Sequence, residues 1–247
     1  MTLPATSLHT TATGDPDGPL VVLVHGTMDR SASFAHLARR LRDLHVVRYD
    51  RRGYGRSRGA GPPAGVQEHA DDLVAVLDGR PAVVVGHSFG GAVALVVAAR
   101  HPDLVRGLLV YEAALSWLPW WPGSSAGGTA LSSGGDPGDA AEAFLRRMIG
   151  DRWDELPPRT RADRRAEGPT LVAELRSLRE GPPCDLAAVT APTIVVRGSR
   201  SPAHLRDGAE WLASALPDAT LHECEGAGHG GHQSHSEVLA GLVRRLL

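Results

Sequence analysis

The residues Gly86-His87-Ser88-Phe89-Gly90-Gly91 directly follow the apolar run Ala82–Val85 and precede the helical pattern Ala92–Ala99. A strand that reverses sharply into a helix holds the residue at the turn in strained backbone angles and exposes its side chain at the helix N-terminus. Glycines two positions before and after the serine permit the close approach of the chain. The stretch therefore predicts Ser88 as a nucleophile. A glycine-rich helix start with an N-capping serine is the alternative.

Apolar, β-branched runs on both sides of this turn indicate buried strands. Continuous rather than alternating hydrophobicity is expected where helices cover both faces of a parallel sheet. The predicted strands are Leu20–Val24, His45–Tyr49, Ala82–Gly86, Gly107–Tyr111, Thr193–Arg197 and Ala219–Glu223. Predicted helices lie between or after them at Phe34–Leu44, Val66–Leu77, Ala92–Ala99, Ala209–Leu216 and Val238–Leu247. This alternation predicts a doubly wound, mostly parallel α/β sheet, whose reactive crevice lies at the carboxyl ends of the strands.

The alternation stops in residues 113–185, which we call the cap. No strand pattern occurs there. The segment contains a tryptophan-rich stretch, a Gly/Ser-rich stretch and two helical patterns, at Trp117–Pro122, Gly123–Gly138, Ala140–Ile149 and Thr170–Arg179. We expect a mostly helical insertion over the crevice with a mobile Gly/Ser segment, on a core formed by residues 1–112 and 186–247.

Composition excludes several classes of function. The 247 residues include 26 basic and 28 acidic side chains, so neither a nucleic-acid partner nor a membrane surface is expected. All basic side chains are arginine, and the chain contains no lysine and no asparagine. A lysine Schiff base, a phosphate-loop lysine and an N-glycosylation sequon are therefore impossible.

The cysteines and the N-terminal residues bear on the cellular compartment in which the protein is expected. Cys184 and Cys224 lie far apart and do not form the framework of a secreted disulfide protein, so we expect free thiols in a reducing compartment. Residues Met1–Ser7 show neither a positive n-region nor an apolar stretch of signal-peptide length. The apolar runs are far too short for a membrane span. We therefore expect a cytoplasmic protein.

A serine hydroxyl needs a base, and a tetrahedral intermediate needs donors for its oxyanion. His25-Gly26-Thr27-Met28 follows the first predicted strand, at the sheet edge expected for Ser88. The predicted oxyanion donors are the backbone N–H groups of Thr27 and Phe89, with Met28 as the second choice. Each such donor typically contributes about 10²- to 10³-fold in rate. His25 fits a turn-organising role better than that of the base.

Four ordered motifs carry a resemblance that covers nearly the whole chain. They are His25-Gly26, the turn Tyr49–Ser57, the turn around Ser88, and Gly226-Ala227-Gly228-His229. The chain resembles the α/β-hydrolase superfamily, of the esterase and lipase type with a helical cap. The resemblance implies a structural role for Asp50 and Arg51. It also implies that His229, after the last strand and before the final helix, is the general base.

The acid of the expected triad departs from the family pattern. Most members carry an aspartate shortly after the strand that corresponds to Thr193–Arg197, but Ser201 stands there. Loss of the orienting acid costs about 10⁴-fold in turnover. Glu112 directly follows the strand Gly107–Tyr111, and this resembles a minority of α/β-hydrolases, among them lactonases that open resorcylic macrolides. We therefore predict Glu112 as the orienting acid, with Asp207 in reserve; a helix-start or surface carboxylate is the alternative for Glu112.

Three histidines, His229, His232 and His235, recur at three-residue spacing. A zinc site is one interpretation, but no cysteine accompanies them and the surrounding glycines favour a solvated loop. No metal and no organic cofactor is expected, since activation would come from hydrogen bonding alone.

Large apolar side chains near the predicted nucleophile suggest the substrate. Trp117, Trp120 and Trp121 are expected to roof a pocket whose floor includes Met28 and Phe89, although packing of cap against core would explain the tryptophans equally. Such a pocket favours a hydrophobic small molecule over a charged or peptide substrate.

The expected reaction is hydrolysis of a carboxylic ester or lactone through an acyl-enzyme. The alternatives are another reaction on the same fold, by a C–C hydrolase, thioesterase or cyclase, and a non-catalytic protein that binds small molecules. The oligomeric state stays open.

Overall fold

The computed structural model describes residues 8–247, which form a seven-stranded sheet flanked by helices. The strands are β1 (Thr10–Gly14), β2 (Leu20–Val24), β3 (His45–Tyr49), β4 (Ala82–His87), β5 (Val105–Tyr111), β6 (Thr193–Gly198) and β7 (Ala219–Cys224). They lie in the order β1-β3-β2-β4-β5-β6-β7. β1 runs antiparallel to β3, and all other neighbours are parallel. The predicted fold class is confirmed.

The six predicted strands match β2 to β7 within two residues at each end. β1 was not predicted, because its sequence Thr-Thr-Ala-Thr-Gly is largely exposed at the sheet edge and has no apolar run. The prediction on a signal peptide concerns Met1–Ser7, which lie outside the described residues.

Eleven α-helices occur in residues 8–247. They are α1 (Ala35–Arg40), α2 (Val66–Leu77), α3 (Phe89–Arg100), α4 (Ala126–Ser132), α5 (Pro137–Ile149), α6 (Arg152–Glu155), α7 (Pro158–Arg165), α8 (Gly168–Ser177), α9 (Ala203–Ala215), α10 (Gly231–Ser234) and α11 (Ser236–Arg244). Short 3-10 turns occur at Ser31–Phe34, Gly55–Ala60 and Leu186–Ala188.

Two apolar clusters cover the two faces of the sheet, and β2 contributes to both. Val22 and Val24 pack in one cluster with α2 and α3, whereas Val21 and Leu23 pack in the other with α1 and α11. Successive side chains of a strand point to opposite faces, so every residue of β2 must be apolar. This explains the continuous hydrophobic run in the sequence.

The cap, residues 113–185, contains the five helices α4 to α8 and no strand. Its helices pack in a third apolar cluster that includes Phe144, Trp153 and Leu171 together with Met28 and Tyr54 of the core. The Gly/Ser-rich stretch contains α4, which the pattern did not predict. The hydroxyl of Ser125 begins this helix by accepting a hydrogen bond from the N–H of Gly128 (3.1 Å).

Cys184 and Cys224 are both free thiols. Within residues 8–247, no helix has the length and apolar character needed to cross a bilayer.

Candidate active site

The turn between β4 and α3 places Ser88 at the carboxyl end of the sheet. Its backbone angles are φ 53° and ψ −120°, a region that costs a non-glycine residue about 1–3 kcal/mol. A Cβ at Gly86 would lie 2.5 Å from the carbonyl oxygen of Gly90, and a Cβ at Gly90 would lie 2.2 Å from that of Val24. Both contacts involve backbone atoms and cannot be relieved by a side-chain movement, so the two glycines permit the strained turn.

Glu112 follows β5 and is fully buried, with φ 45°. Its Oε1 accepts a hydrogen bond from the N–H of Gly198 at the end of β6 (2.8 Å). Its Oε2 lies 2.7 Å from Nδ1 of His229. A buried carboxylate requires such partners, because it has lost its hydration. The arrangement leaves Nε2 of His229 as the ring nitrogen available for proton transfer.

The loop that carries His229 is held by two hydrogen bonds from neighbouring strands. Nε2 of His87 donates to the carbonyl of His229 (2.9 Å), and the hydroxyl of Tyr111 donates to the carbonyl of Gly228 (2.7 Å). His229 and Ser88 line one cavity. Within residues 8–247 no hydrogen bond joins the Ser88 hydroxyl to His229, and such bonds often tighten only when substrate binds.

The alternative acid positions are not connected to His229. Asp207 lies in α9 and makes no hydrogen bond to His229 within the described chain. The hydroxyl of Ser201, at the position of the usual family aspartate, is buried and has no hydrogen-bond partner there.

The loop of residues 25–28, which we call the oxyanion loop, follows β2. The backbone N–H groups of Thr27 and Phe89 have no hydrogen-bond partner among the described residues, and both residues line the cavity with Ser88. Nε2 of His25 accepts from the N–H of Arg51 (2.9 Å), so its Nδ1 donates to the carbonyl of Gly26 (2.8 Å). Burial and Arg51 lower the pKa of His25 to about 4, so it stays neutral and organises the turn.

The cavity has a volume of about 310 Å³ and lies between the sheet edge and the cap. Trp121 lines it, but Trp117, Trp120 and Met28 do not, which corrects their prediction as pocket residues. Trp117 packs against the core, and Trp120 is 44% exposed. Met28 is buried among cap residues instead. Proximity to Glu112 in sequence does not fix the direction of these side chains.

Comparison with known proteins gives a match to the alpha/beta hydrolase family over residues 21–242. The chain belongs to the alpha/beta hydrolase family. A pimeloyl-[acyl-carrier protein] methyl ester esterase of Chromobacterium violaceum is 32% identical over 89% of this chain and 91% of that one. Lipase LipV of Mycobacterium tuberculosis is 36% identical over 58% of this chain, and the match spans about half of the lipase, 55%.

Among solved structures, an enol-lactonase of Burkholderia xenovorans LB400 superposes with a TM-score of 0.74 at 21% identity, covering 97% of this chain and 95% of that one. This likeness concerns the fold. The protein is a hydrolase of the α/β-hydrolase type, and its relatives include an esterase and a lipase.

A buried ionic network in this hydrolase, which sequence reasoning missed, ties the cap to the oxyanion loop. Glu174 of α8 is fully buried and pairs with the guanidinium of Arg51 and with Nε2 of His69 (2.8 Å). It also accepts hydrogen bonds from the hydroxyls of Thr27 (2.8 Å) and Tyr54 (2.9 Å).

The other nitrogens of Arg51 hold the backbone of the oxyanion loop. Nε donates to the carbonyl of His25 (2.8 Å) and Nη2 donates to that of Gly26 (3.0 Å). One signal could have shown that Glu174 needs a partner, though not which one: it shares a helical face with Leu171 and Leu178, and a lone carboxylate in a buried stripe requires a partner.

The histidines considered for zinc do not converge. His229 bonds to Glu112, and His235 is half-buried and bonds to Ser234. A different group, Asp29, His87 and His232, places one ligand atom each within 4.8 Å of the others.

Ring geometry argues against a metal in this second group. The rings of His87 and His232 stack with centroids 3.9 Å apart and planes 30° apart. A metal bonds the nitrogen lone pair in the plane of the ring, and two stacked rings do not aim their lone pairs at a common point. These residues therefore fit a metal poorly. Burial keeps the pKa of His87 well below its ordinary value, consistent with a neutral ring.

Proposed function

We propose that this protein is a serine hydrolase that cleaves a carboxylic ester or lactone of a largely apolar small molecule through an acyl-enzyme. The observation that carries the proposal is the hydrogen bond between Glu112 and Nδ1 of His229, in a cavity that Ser88 also lines. This bond supplies the orienting acid that the residue at position 201 does not.

In the proposed mechanism, the Ser88 hydroxyl oxygen attacks the carbonyl carbon while Nε2 of His229 takes its proton. Glu112 keeps the proton of Nδ1 in place and stabilises the imidazolium that forms. The N–H groups of Thr27 and Phe89 donate to the oxyanion. The imidazolium then protonates the leaving alkoxide. The same imidazole activates a water molecule, which attacks the acyl-enzyme, releases the carboxylic acid and restores the Ser88 hydroxyl.

The apolar part of the cavity supports a hydrocarbon portion of the substrate. Side chains of Trp121, Phe144, Leu175, Leu178 and Leu205 line it. Apolar surface removed from water contributes about 25 cal/mol per Å² to binding.

Labelling with a fluorophosphonate probe tests the proposal, because the probe reacts with an activated serine. We expect stoichiometric labelling of the Ser88 peptide by mass spectrometry and none in Ser88→Ala. Ser201→Ala is the matched control: it removes a buried hydroxyl outside the cavity lining, and labelling should persist.

A folded wild-type protein that is not labelled would instead indicate a non-catalytic binding protein. A panel of chain-length-graded esters and macrolactones then identifies the reaction. If the labelled protein hydrolysed neither the esters nor the macrolactones, that result would contradict the proposed reaction.

A further inference from the structure

The cavity carries positive charge, which a purely apolar substrate would not require. Twenty residues line the cavity; they include Arg147 and Arg179 but no aspartate or glutamate. Arg147 lies near the end of α5, and Arg179 follows α8 by two residues. Both side chains are exposed, so they stand at the mouth of the cavity, and none of the residues that line it is a carboxylate.

Other arginines of the cap are neutralised by carboxylates. Arg146 pairs with Glu142 and Asp154, and Arg165 pairs with Asp139 and Glu142. Neither Arg147 nor Arg179 makes a side-chain hydrogen bond or ion pair in the described part of the chain. Two cations that share a cleft with low-dielectric walls concentrate anions there.

The effect of Arg147 reaches into the cavity. Burial lowers the pKa of His204, which lines the same cavity, and the neighbouring His229 and Arg147 also lower it. The carboxylates of Glu112 and Asp207 act on this pKa in the opposite direction. The cavity therefore has Ser88 and apolar side chains in its lining and two arginines at its mouth.

We propose that the substrate carries a carboxylate remote from the bond that is cleaved. The hydrocarbon between the two groups lies along the apolar walls, and Arg147 and Arg179 bind the carboxylate at the mouth. This inference rests on the proposed function, and it refines the expectation of a purely hydrophobic substrate.

Two matched substrate pairs test it and show which side of the ester bears the carboxylate. The acyl pair is 4-nitrophenyl hydrogen adipate and 4-nitrophenyl hexanoate. The alcohol pair is 6-acetoxyhexanoate and hexyl acetate, followed by pH-stat. We expect the anionic member of at least one pair to have a kcat/KM roughly 10-fold above that of its neutral partner at low salt. The preference should shrink in about 0.5 M NaCl, since salt screens exposed charges.

Arginine variants assign the preference to the cavity. Arg147→Gln and Arg179→Gln should each lower it several-fold, mainly through KM, and the double variant should abolish it. Arg176→Gln is the matched control, because Arg176 is exposed on α8 but does not line the cavity. That variant should behave as wild type.

A binding measurement separates failure of this inference from failure of the proposed function. Calorimetry on Ser88→Ala needs no turnover, and it compares an acyl pair, monomethyl adipate and methyl hexanoate, and the alcohol pair, 6-acetoxyhexanoate and hexyl acetate. Tighter binding of the anion, lost with both arginines, supports the inference even if no ester is hydrolysed. Equal binding within both pairs, or a preference for the anion that survives in the double arginine variant, overturns it even if esters are hydrolysed.

Discussion

Replacing Glu174 by glutamine is expected to cause a large loss of stability and to loosen the oxyanion loop. The side chain of Glu174 is fully buried, and it is the carboxylate that balances the buried charge of Arg51. Glutamine has nearly the same shape, so the change removes the charge while disturbing the packing little. It leaves the Arg51 guanidinium buried without a counterion.

Two arguments give the same size for the loss of stability in Glu174→Gln. Burial by itself would raise the pKa of Glu174, but Arg51 and His69 lower it from 4.5 to about 2. A lowering of that size corresponds to about 3 kcal/mol of stability at neutral pH. Removal of one partner from a buried ion pair typically costs about 3–5 kcal/mol. Both arguments describe the same interaction, so their free energies are not added.

The sign of the pH dependence follows from the lowered pKa. The contribution of Glu174 to the free energy of unfolding is fully present above pH 4.5, and it is lost as the pH falls towards 2. The difference in stability between wild type and Glu174→Gln should therefore be largest at neutral pH and shrink in acid.

Urea unfolding at several pH values, followed by circular dichroism, measures this difference. At pH 7 we expect a loss of about 3 kcal/mol and a melting temperature lower by about 6–12 °C. Glu180→Gln is the control, since Glu180 is exposed and its loss should change stability by less than about 0.5 kcal/mol. Equal stabilities of wild type and Glu174→Gln at pH 7, or a difference that grows in acid, would refute the assignment.

Three further tests, two of them with a control substitution, address other parts of the site. Glu112→Gln should lower turnover by roughly 10³- to 10⁴-fold with the fold intact, whereas Asp207→Asn should stay near wild type; the reverse ranking in steady-state kinetics would refute Glu112 as the acid. Trp121→Ala should raise KM for apolar esters more than it lowers kcat, and Trp120→Ala, outside the cavity lining, should change neither; equal effects would remove Trp121 from the pocket. Gly90→Ala should abolish soluble folded protein, because its Cβ would lie 2.2 Å from a backbone oxygen; a folded variant would contradict the close approach.

The central sheet could be predicted because its signal is local and strong. Five of the six predicted strands, β2 to β6, are runs of mainly apolar residues and are buried for most of their length. β1 escaped prediction because an exposed edge strand needs backbone pairing with β3 but no apolar side chains. The helix α4 was missed because glycine and serine disfavour helix, and packing in the cap outweighs that propensity.

The geometry of the candidate site could be predicted where a short motif determines it and could not where distant elements meet. The turn at Ser88 is set by glycines within the turn itself. The role of Glu174 depends on how α8 approaches Arg51, 123 residues away in sequence, and no local pattern encodes that approach. Likewise, the directions of Trp117 and Trp120 depend on how the cap packs.

The placement of Glu112 shows how a carboxylate from the end of β5 reaches His229. Parallel pairing sets Tyr111 opposite Val196, and the N–H of Glu112 continues the ladder by donating to the carbonyl of Val196 (3.0 Å). The chain then turns at φ 45°, which ends the strand beside the final residue of β6.

There the end of β6 contributes a backbone donor, the N–H of Gly198, to one carboxylate oxygen of Glu112, and His229 takes the other oxygen. A Cβ at Gly198 would lie 2.4 Å from the carbonyl of Ala227, so the loop before His229 packs directly on this strand end. The end of β6 thus binds a carboxylate that comes from the adjacent strand β5. An orienting carboxylate need only reach Nδ1 of the imidazole with its second oxygen anchored, and Glu112 meets both requirements from β5.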